Sequence, residues 1–215
     1  MDTITNRHKG KRFYIGGSSP NIKQLDPAHL TDGVVIAVNQ FIDVYPSADY
    51  WMAYDSQNLQ LSEGYADWAS SITAPKFMRW DPNYSPNFKG WEGLGDVTHY
   101  HCDVLDDRYL HREWHQHIIH IGTTASEAVH LAAIMGASEI VLWGVDLHGG
   151  HRADGVAYAD PDMWGRFVDR FSLLCQWVTS AFDCPIYKTN SDSRLNLEYI
   201  DMRFADGKTN STDPF

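Results

Sequence analysis

The chain has 215 residues, 43% of them hydrophobic and 21% charged, which sets it among ordinary globular proteins and apart from disordered tails and membrane spans. A net charge of -11 disfavours bulk nucleic acid as a partner, because sequence-independent binding to polyphosphate needs a dense Lys/Arg cluster that displaces counterions. The length fits one large domain, expected over residues 1–206, followed by a polar C-terminal tail at 207–215.

Arg12-Phe13-Tyr14-Ile15 is a β-prone run that stops at two glycines and predicts a buried first strand delivering a tight turn. Val34–Val38 is continuously apolar and rich in β-branched residues, the pattern of a strand covered on both faces, and Asn39 falls at its end. Two further runs, Tyr50–Tyr54 and Lys76–Trp80, stop at Asp55 and Asp81. From Asp81 to Asp96, five prolines and glycines among aromatics predict an irregular loop, a candidate lid. The spacing of Ala125, Ala128, Val129, Ala132 and Met135 predicts a helix closed by Gly136, and Glu139–Val145 reads as a strand ending at Asp146. Trp164, Phe167, Val168, Phe171, Leu174, Cys175 and Val178 form a second helical stripe. Pro185–Lys188 is the last expected strand. A helix feeding a buried strand is half of a parallel α/β unit, so the expected fold is a Rossmann-like α/β domain with a mostly parallel sheet and helices on both faces.

No N-terminal segment joins a basic start to a long apolar run, so no signal peptide or membrane span is expected and the cytoplasm is the expected location. Cys102, Cys175 and Cys184 are odd in number and lack CxxC pairing, so they are expected to be reduced and mostly buried.

In a parallel sheet, ligands collect beyond the C-terminal strand edge, where helix N-termini point their N–H groups outward. Four features converge there. In Gly16-Gly17-Ser18-Ser19-Pro20, glycine permits close approach to a phosphate and the two hydroxyls add donors; the loop fits neither GxGxxG nor the P-loop pattern. Asn39 and Asp55 are candidates for a ribose or base edge, with turn capping as the alternative. Thr123 and Thr124 at a helix start serve equally as an N-cap or a phosphate contact. Asp146, followed by His148, His151, Arg152, Asp154, Tyr158 and Asp160, supplies acid–base candidates: His148 or His151 as general base, with Tyr158 or Arg152 against a departing phosphate. A second histidine group, His99, His101, His111, His115, His117 and His120, lacks an HExxH or Cys-rich pattern and reads as rim residues more than as a zinc site.

These residues resemble the bacterial sialyltransferases of glycosyltransferase family 42, together with the related archaeal-type 6-hydroxymethylpterin diphosphokinase and flagellin-glycosylation families. Gly17 to Asp26 is similar to that group's Gly-Asn-Gly-Pro-Ser-Leu loop, Asn39-Gln40-Phe41 to its second-strand Asn-Gln-Phe, and Thr123 to Asp146 to its Thr-Ser-Gly helix and Gly-x-Asp strand end. With a weaker echo at Tyr187–Asn190, these blocks cover somewhat under half of the chain. Ser18, Ser19, Asp55 and Ala125 depart from the group's Asn, Gly, Asn and Gly. His148 stands where the sialyltransferases have a Tyr, Tyr158 fits a second Tyr after a small insertion, and no His follows His151.

The resemblance implies a nucleotide-sugar-dependent glycosyltransferase, a CMP-sugar being a candidate donor, with no required cofactor and an unspecified acceptor. It implies donor contacts at Gly16, Gly17, Ser18, Ser19, Asn39, Asp55, Thr123, Thr124 and Asp146. The alternatives are an ATP-using diphosphokinase that holds Mg²⁺ through Asp146, and a nucleotide-binding protein without catalysis.

Overall fold

A computed structural model of the chain describes residues 4–20, 22, 26–30, 32–54, 63–80, 86, 91–104, 118–147 and 161–202, the side chains of 91–92, 102–104 and 161–164 apart. Strands β1 (Arg12–Gly16), β2 (Val34–Val38), β3 (Tyr50–Ala53), β4 (Lys76–Arg79) and β5 (Val97–Tyr100) run outward along one half of a sheet. Strands β8 (Glu139–Trp143), β9 (Ile186–Lys188) and β10 (Glu198–Tyr199) form the other half, giving the order β10-β9-β8-β1-β2-β3-β4-β5. Every pairing is parallel, with Phe13 opposite both Val34 and Ile140. A small parallel pair, β6 (Cys102–Val104) and β7 (Ile118–His120), lies apart from this sheet. The helices are the single turn α1 (Phe41–Val44), α2 (Tyr65–Ser71), α3 (Thr124–Ile134) and α4 (Pro161–Phe182).

Both faces of the sheet are covered at its centre, which is why β2, β3 and all but the first residue of β1 and β8 are buried at every position and not only at alternate ones. Phe13, Ile15, Val34, Ile36, Met52, Phe77, Ile140 and Leu142 face α3 and α4. Tyr14, Val35, Ala37, Trp51, Met78, Val141 and Trp143 face α1, α2 and the turn at Pro27–Leu30. Val168, Phe171, Leu174, Cys175 and Val178 are buried, as the helical stripe of α4 predicts. Cys175 and Cys184 are buried free thiols, and burial, aided by the charges of Glu139 and Asp183, pushes Cys184 up to about 12.

Helix α3 has no solvent face: all of its eleven residues are buried, Ser126, Glu127 and His130 included. Its C-terminal carbonyls are capped from the chain start, where Asn6, His8 and Gly10 donate their N–H groups to Ile134, Met135 and Gly136 at 2.8–2.9 Å. Gly136, at φ 88, turns the chain out of the helix as its sequence position predicts.

Three expectations are refined. Strand β8 stops at Trp143, two residues early, because Gly144 turns into the left-handed region at φ 68. The segment 81–96 is not wholly irregular, since Trp91–Leu94 forms a 3-10 turn. Strands β5, β6, β7 and β10 were not expected. The tail 207–215 lies outside the described residues.

Candidate functional site

The connection from β1 leads to β2 on one side, while β8 lies on its other side and leads away to β9. The strand order therefore reverses between β1 and β8, and an open parallel sheet forms its ligand crevice outside such a reversal. The residues there are Gly16 and Gly17 after β1, and Gly144 to Asp146 after β8.

This junction is tight. Gly17 N–H donates to the Trp143 carbonyl at 2.7 Å, and Ser19 N–H to that of Gly144 at 3.0 Å. Asp146 N–H returns a bond to Ser19 Oγ at 3.2 Å. A Cβ on Gly17 would strike the Gly144 carbonyl oxygen, and one on Gly144 would strike Ile22, so both glycines are required for the approach of the two loops. Two of the loop's backbone donors thus point into the sheet, and Ser19 is buried while Ser18 is half-buried.

Asp146 is buried at the same junction. Gly144 before it and Leu147 after it both have positive φ, 68° and 54°. Leucine pays a steric cost of roughly 1–2 kcal/mol for that conformation, so the surrounding contacts must hold the turn. They come from the loop after β9. Arg194 N–H donates to the Asp146 carbonyl at 3.1 Å, and Ser193 Oγ to that of Val145 at 3.3 Å. Lys188 Nζ ties this loop down through the carbonyls of Ser193 and Leu195 at 3.0 and 2.9 Å.

Asn39 ends β2 with φ 51, a conformation that Asn tolerates better than most residues. Its backbone clamps β3: the N–H donates to Met52 O at 3.1 Å, and its carbonyl accepts Trp51 Nε1 at 2.9 Å. The half-buried side-chain amide makes no hydrogen bond among the described residues. Thr123 is the N-cap of α3, its Oγ1 accepting from Ser126 N–H at 3.2 Å, and Thr124 is buried in the first turn. Gly122, at φ 113, leaves room for the Phe167 ring of α4. Asp55, His148, His151, Arg152, Asp154, Tyr158 and Asp160 lie outside the described residues.

A second group of side chains gathers where β3, β4, β5 and β7 end. The imidazole of His120, the last residue of β7, stacks on Tyr54 with centroids 4.3 Å apart and planes 9° from parallel. The Arg79 guanidinium, at the end of β4, lies 4.3 Å from the same Tyr54 ring. Glu127 of α3 accepts from Tyr100 OH at 2.6 Å and meets His120 Nδ1 at 2.5 Å through its other oxygen. Sequence reading missed Tyr54, Arg79, Tyr100 and Glu127. The first three hold strand-end positions, the signal used for Asn39 and Asp146. Glu127 gave no signal, since a carboxylate within a helical pattern reads as solvent-facing.

Of the other histidines expected near a rim, His99 and His101 are exposed overall, though partial burial of the His99 ring, foremost, lowers its pKa. His99 meets Trp80 edge-on at 5.0 Å. His111, His115 and His117 lie outside the described residues, and among those described no group of three or more His, Cys, Asp or Glu is arranged to hold a metal ion. No described helix is long and apolar enough to cross a membrane.

The sequence matches no protein-family profile and no curated protein. The fold matches solved structures. A Maf glycosyltransferase from Magnetospirillum magneticum AMB-1 superposes with a TM-score of 0.64 at 16% identity, over 94% of this chain and 35% of that one. The sialyltransferase CstII from Campylobacter jejuni, in complex with cytidine-5'-monophosphate, gives 0.55 at 14% identity over 88% of this chain and 85% of its own. The monofunctional alpha-2,3-sialyltransferase Cst-I of the same organism gives 0.52 at 14% identity, over 88% and 80%. At such identities the likeness establishes the α/β fold, and the chain spans about a third of the Magnetospirillum enzyme.

Proposed function

We propose that the chain is a glycosyltransferase that binds a nucleotide-linked sugar across the β1–β8 reversal and transfers the sugar to a hydroxyl acceptor. The observation that carries this reading is the strand-order reversal flanked by a buried Asp146 and by the side-chain amide of Asn39, unengaged among the described residues. An amide offers a donor and an acceptor to a base or ribose, and a strand reversal is where an open α/β sheet accommodates a nucleotide. The fold likeness to CstII, whose structures hold cytidine-5'-monophosphate or CMP-3FNeuAc, supports a CMP-sugar as the donor to test first.

Gly16, Gly17, Ser18 and Ser19 shape the floor of this site, with Thr123 and Thr124 at the N-terminus of α3 on the same sheet edge. Since the N–H groups of Gly17 and Ser19 are committed to β8, the reading gives this loop close approach and the Ser18 hydroxyl, and asks the remaining phosphate donors of the α3 terminus. Asp55 is assigned to the donor as well. His148 or His151 stays the motif-based candidate for the general base, with Tyr158 against the departing phosphate.

Calorimetric titration with CMP, UDP, GDP and ATP, each with and without Mg²⁺, tests the reading. The expected result is metal-independent binding of one nucleoside phosphate, weakened about tenfold by Asn39→Ala, the usual scale for losing one or two hydrogen bonds. ATP binding only with Mg²⁺ would transfer the assignment to a phosphoryl-transfer enzyme, and no binding at millimolar concentration would end it.

A further inference from the structure

We propose that His120, oriented by Glu127, is the general base that accepts the proton of the acceptor hydroxyl. The inference rests on the glycosyltransferase reading and adds a catalytic group that motif reading leaves among rim histidines.

Glu127 is completely buried in a helix whose every neighbour is buried. An ionised carboxylate there costs several kcal/mol in lost hydration unless hydrogen bonds replace the water. Those from Tyr100 OH and from His120 Nδ1 do so. Because a carboxylate accepts, the Nδ1 of a neutral His120 is the protonated nitrogen, and Nε2 is the bare, basic one. That Nε2 makes no hydrogen bond among the described residues, and the side chain is 17% exposed. The Tyr54 stack fixes the ring plane. An apolar residue at position 127 would fill the same helix face with no desolvation to offset, and a purely structural Glu–His pair needs no open nitrogen. The arrangement instead holds one nitrogen and frees the other at the sheet edge where β3, β4 and β5 end, three residues before the N-cap of α3.

In the transfer, the acceptor oxygen forms its bond to the anomeric carbon while the bond from that carbon to the phosphate oxygen breaks. The electron pair leaves on the phosphate, and the hydroxyl proton passes to His120 Nε2. The Glu127 carboxylate balances the imidazolium so formed. Among the described residues, the titratable and charged groups facing His120 are Glu127 from α3, Tyr54 after β3, Arg79 of β4 beyond the Tyr54 ring, and Tyr100 of β5. Glu127 is a positioning residue, since it reaches the substrate only through the imidazole.

The test follows nucleotide release from CMP-N-acetylneuraminic acid, UDP-N-acetylglucosamine and GDP-mannose, with water and with mixed mono- and disaccharides as acceptors, alongside calorimetric binding of each donor. His120→Gln is expected to lower kcat by about 10²–10⁴-fold, the usual range for a general base, with donor Kd unchanged. Glu127→Gln should lower kcat less with donor Kd unchanged, and Glu127→Asp, which keeps the carboxylate, should recover part of that loss. If His120→Gln melts far below the parent protein, the Glu127 variants decide, and an unchanged kcat in Glu127→Gln overturns the proposal. Turnover retained by His120→Gln while His148→Ala/His151→Ala loses it would overturn the proposal and leave the function standing. Donor binding without release by the parent protein would also overturn it. No binding of any donor would remove the glycosyltransferase reading and this inference together.

Discussion

The two halves of the C-terminal sheet edge are built from opposite materials. At the β1–β8 reversal the architecture is backbone: glycines with no side chain to spare, amides donated across the strands, and the carbonyls of Val145 and Asp146 held by a distant loop. At the ends of β3, β4, β5 and β7 it is side chain: an imidazole, two phenols, a guanidinium and a buried carboxylate linked by successive contacts. The first half resembles a ligand motif and spends much of its hydrogen-bonding capacity on itself. The second has no motif and keeps a basic nitrogen open. A glycine-rich loop is thus first a solution to close packing, and its capacity for an anion is whatever that packing leaves over.

Breaking the backbone half should have the largest effect. Gly144→Ala adds a methyl group against Ile22 at φ 68, combining left-handed strain with overpacking, so a loss of about 3 kcal/mol is expected. Thermal unfolding followed by circular dichroism measures it; a loss below about 1 kcal/mol would mean that the junction relaxes easily and that the contrast is weaker than drawn. In the side-chain half, Tyr100→Phe removes a hydrogen bond to the Glu127 carboxylate and should cost roughly 1.5–3 kcal/mol. Urea denaturation provides the value, and an unchanged midpoint would indicate that Glu127 is not ionised in the folded protein.

The smallest effect sharpens the boundary between the halves. Thr123→Ala should cost about 1 kcal/mol through loss of the N-cap. Thr123→Asp should restore that stability, because aspartate also caps a helix, while repelling a bound phosphate. If Thr123→Asp binds nucleotide as tightly as the parent protein, the α3 terminus takes no part in phosphate binding and Thr123 is a cap alone.

Much of the framework was legible from apolar runs and their stops. β1, β2, β3, β4 and β8, the helices α3 and α4, and the cap at Thr123 all announce themselves in this way. β5 did not, because Thr98 and His99 are exposed on an outer strand and interrupt the apolar pattern. β6 and β7 have three residues each and are defined by pairing with one another, across a sequence separation that no local pattern spans. At the site, strand-end position singled out Asn39 and Asp146, and applied to every strand it would have singled out Tyr54, Arg79, Tyr100 and His120.

What the sequence determined alone is the alternation of strand and helix and the residues that arrive at the C-terminal edge, since both follow from local apolar periodicity and from glycine or polar stops. Only the tertiary structure decided which of those groups are spent. Ser19 and Asp146 meet across 127 residues of chain, and Tyr100 and Glu127 across 27. A hydrogen-bonding group is free or committed according to what folding brings beside it, and no local pattern carries that information. For the same reason Glu127, a surface residue by helical pattern, became the buried anchor of His120 once β7, α4 and the main sheet had closed around α3.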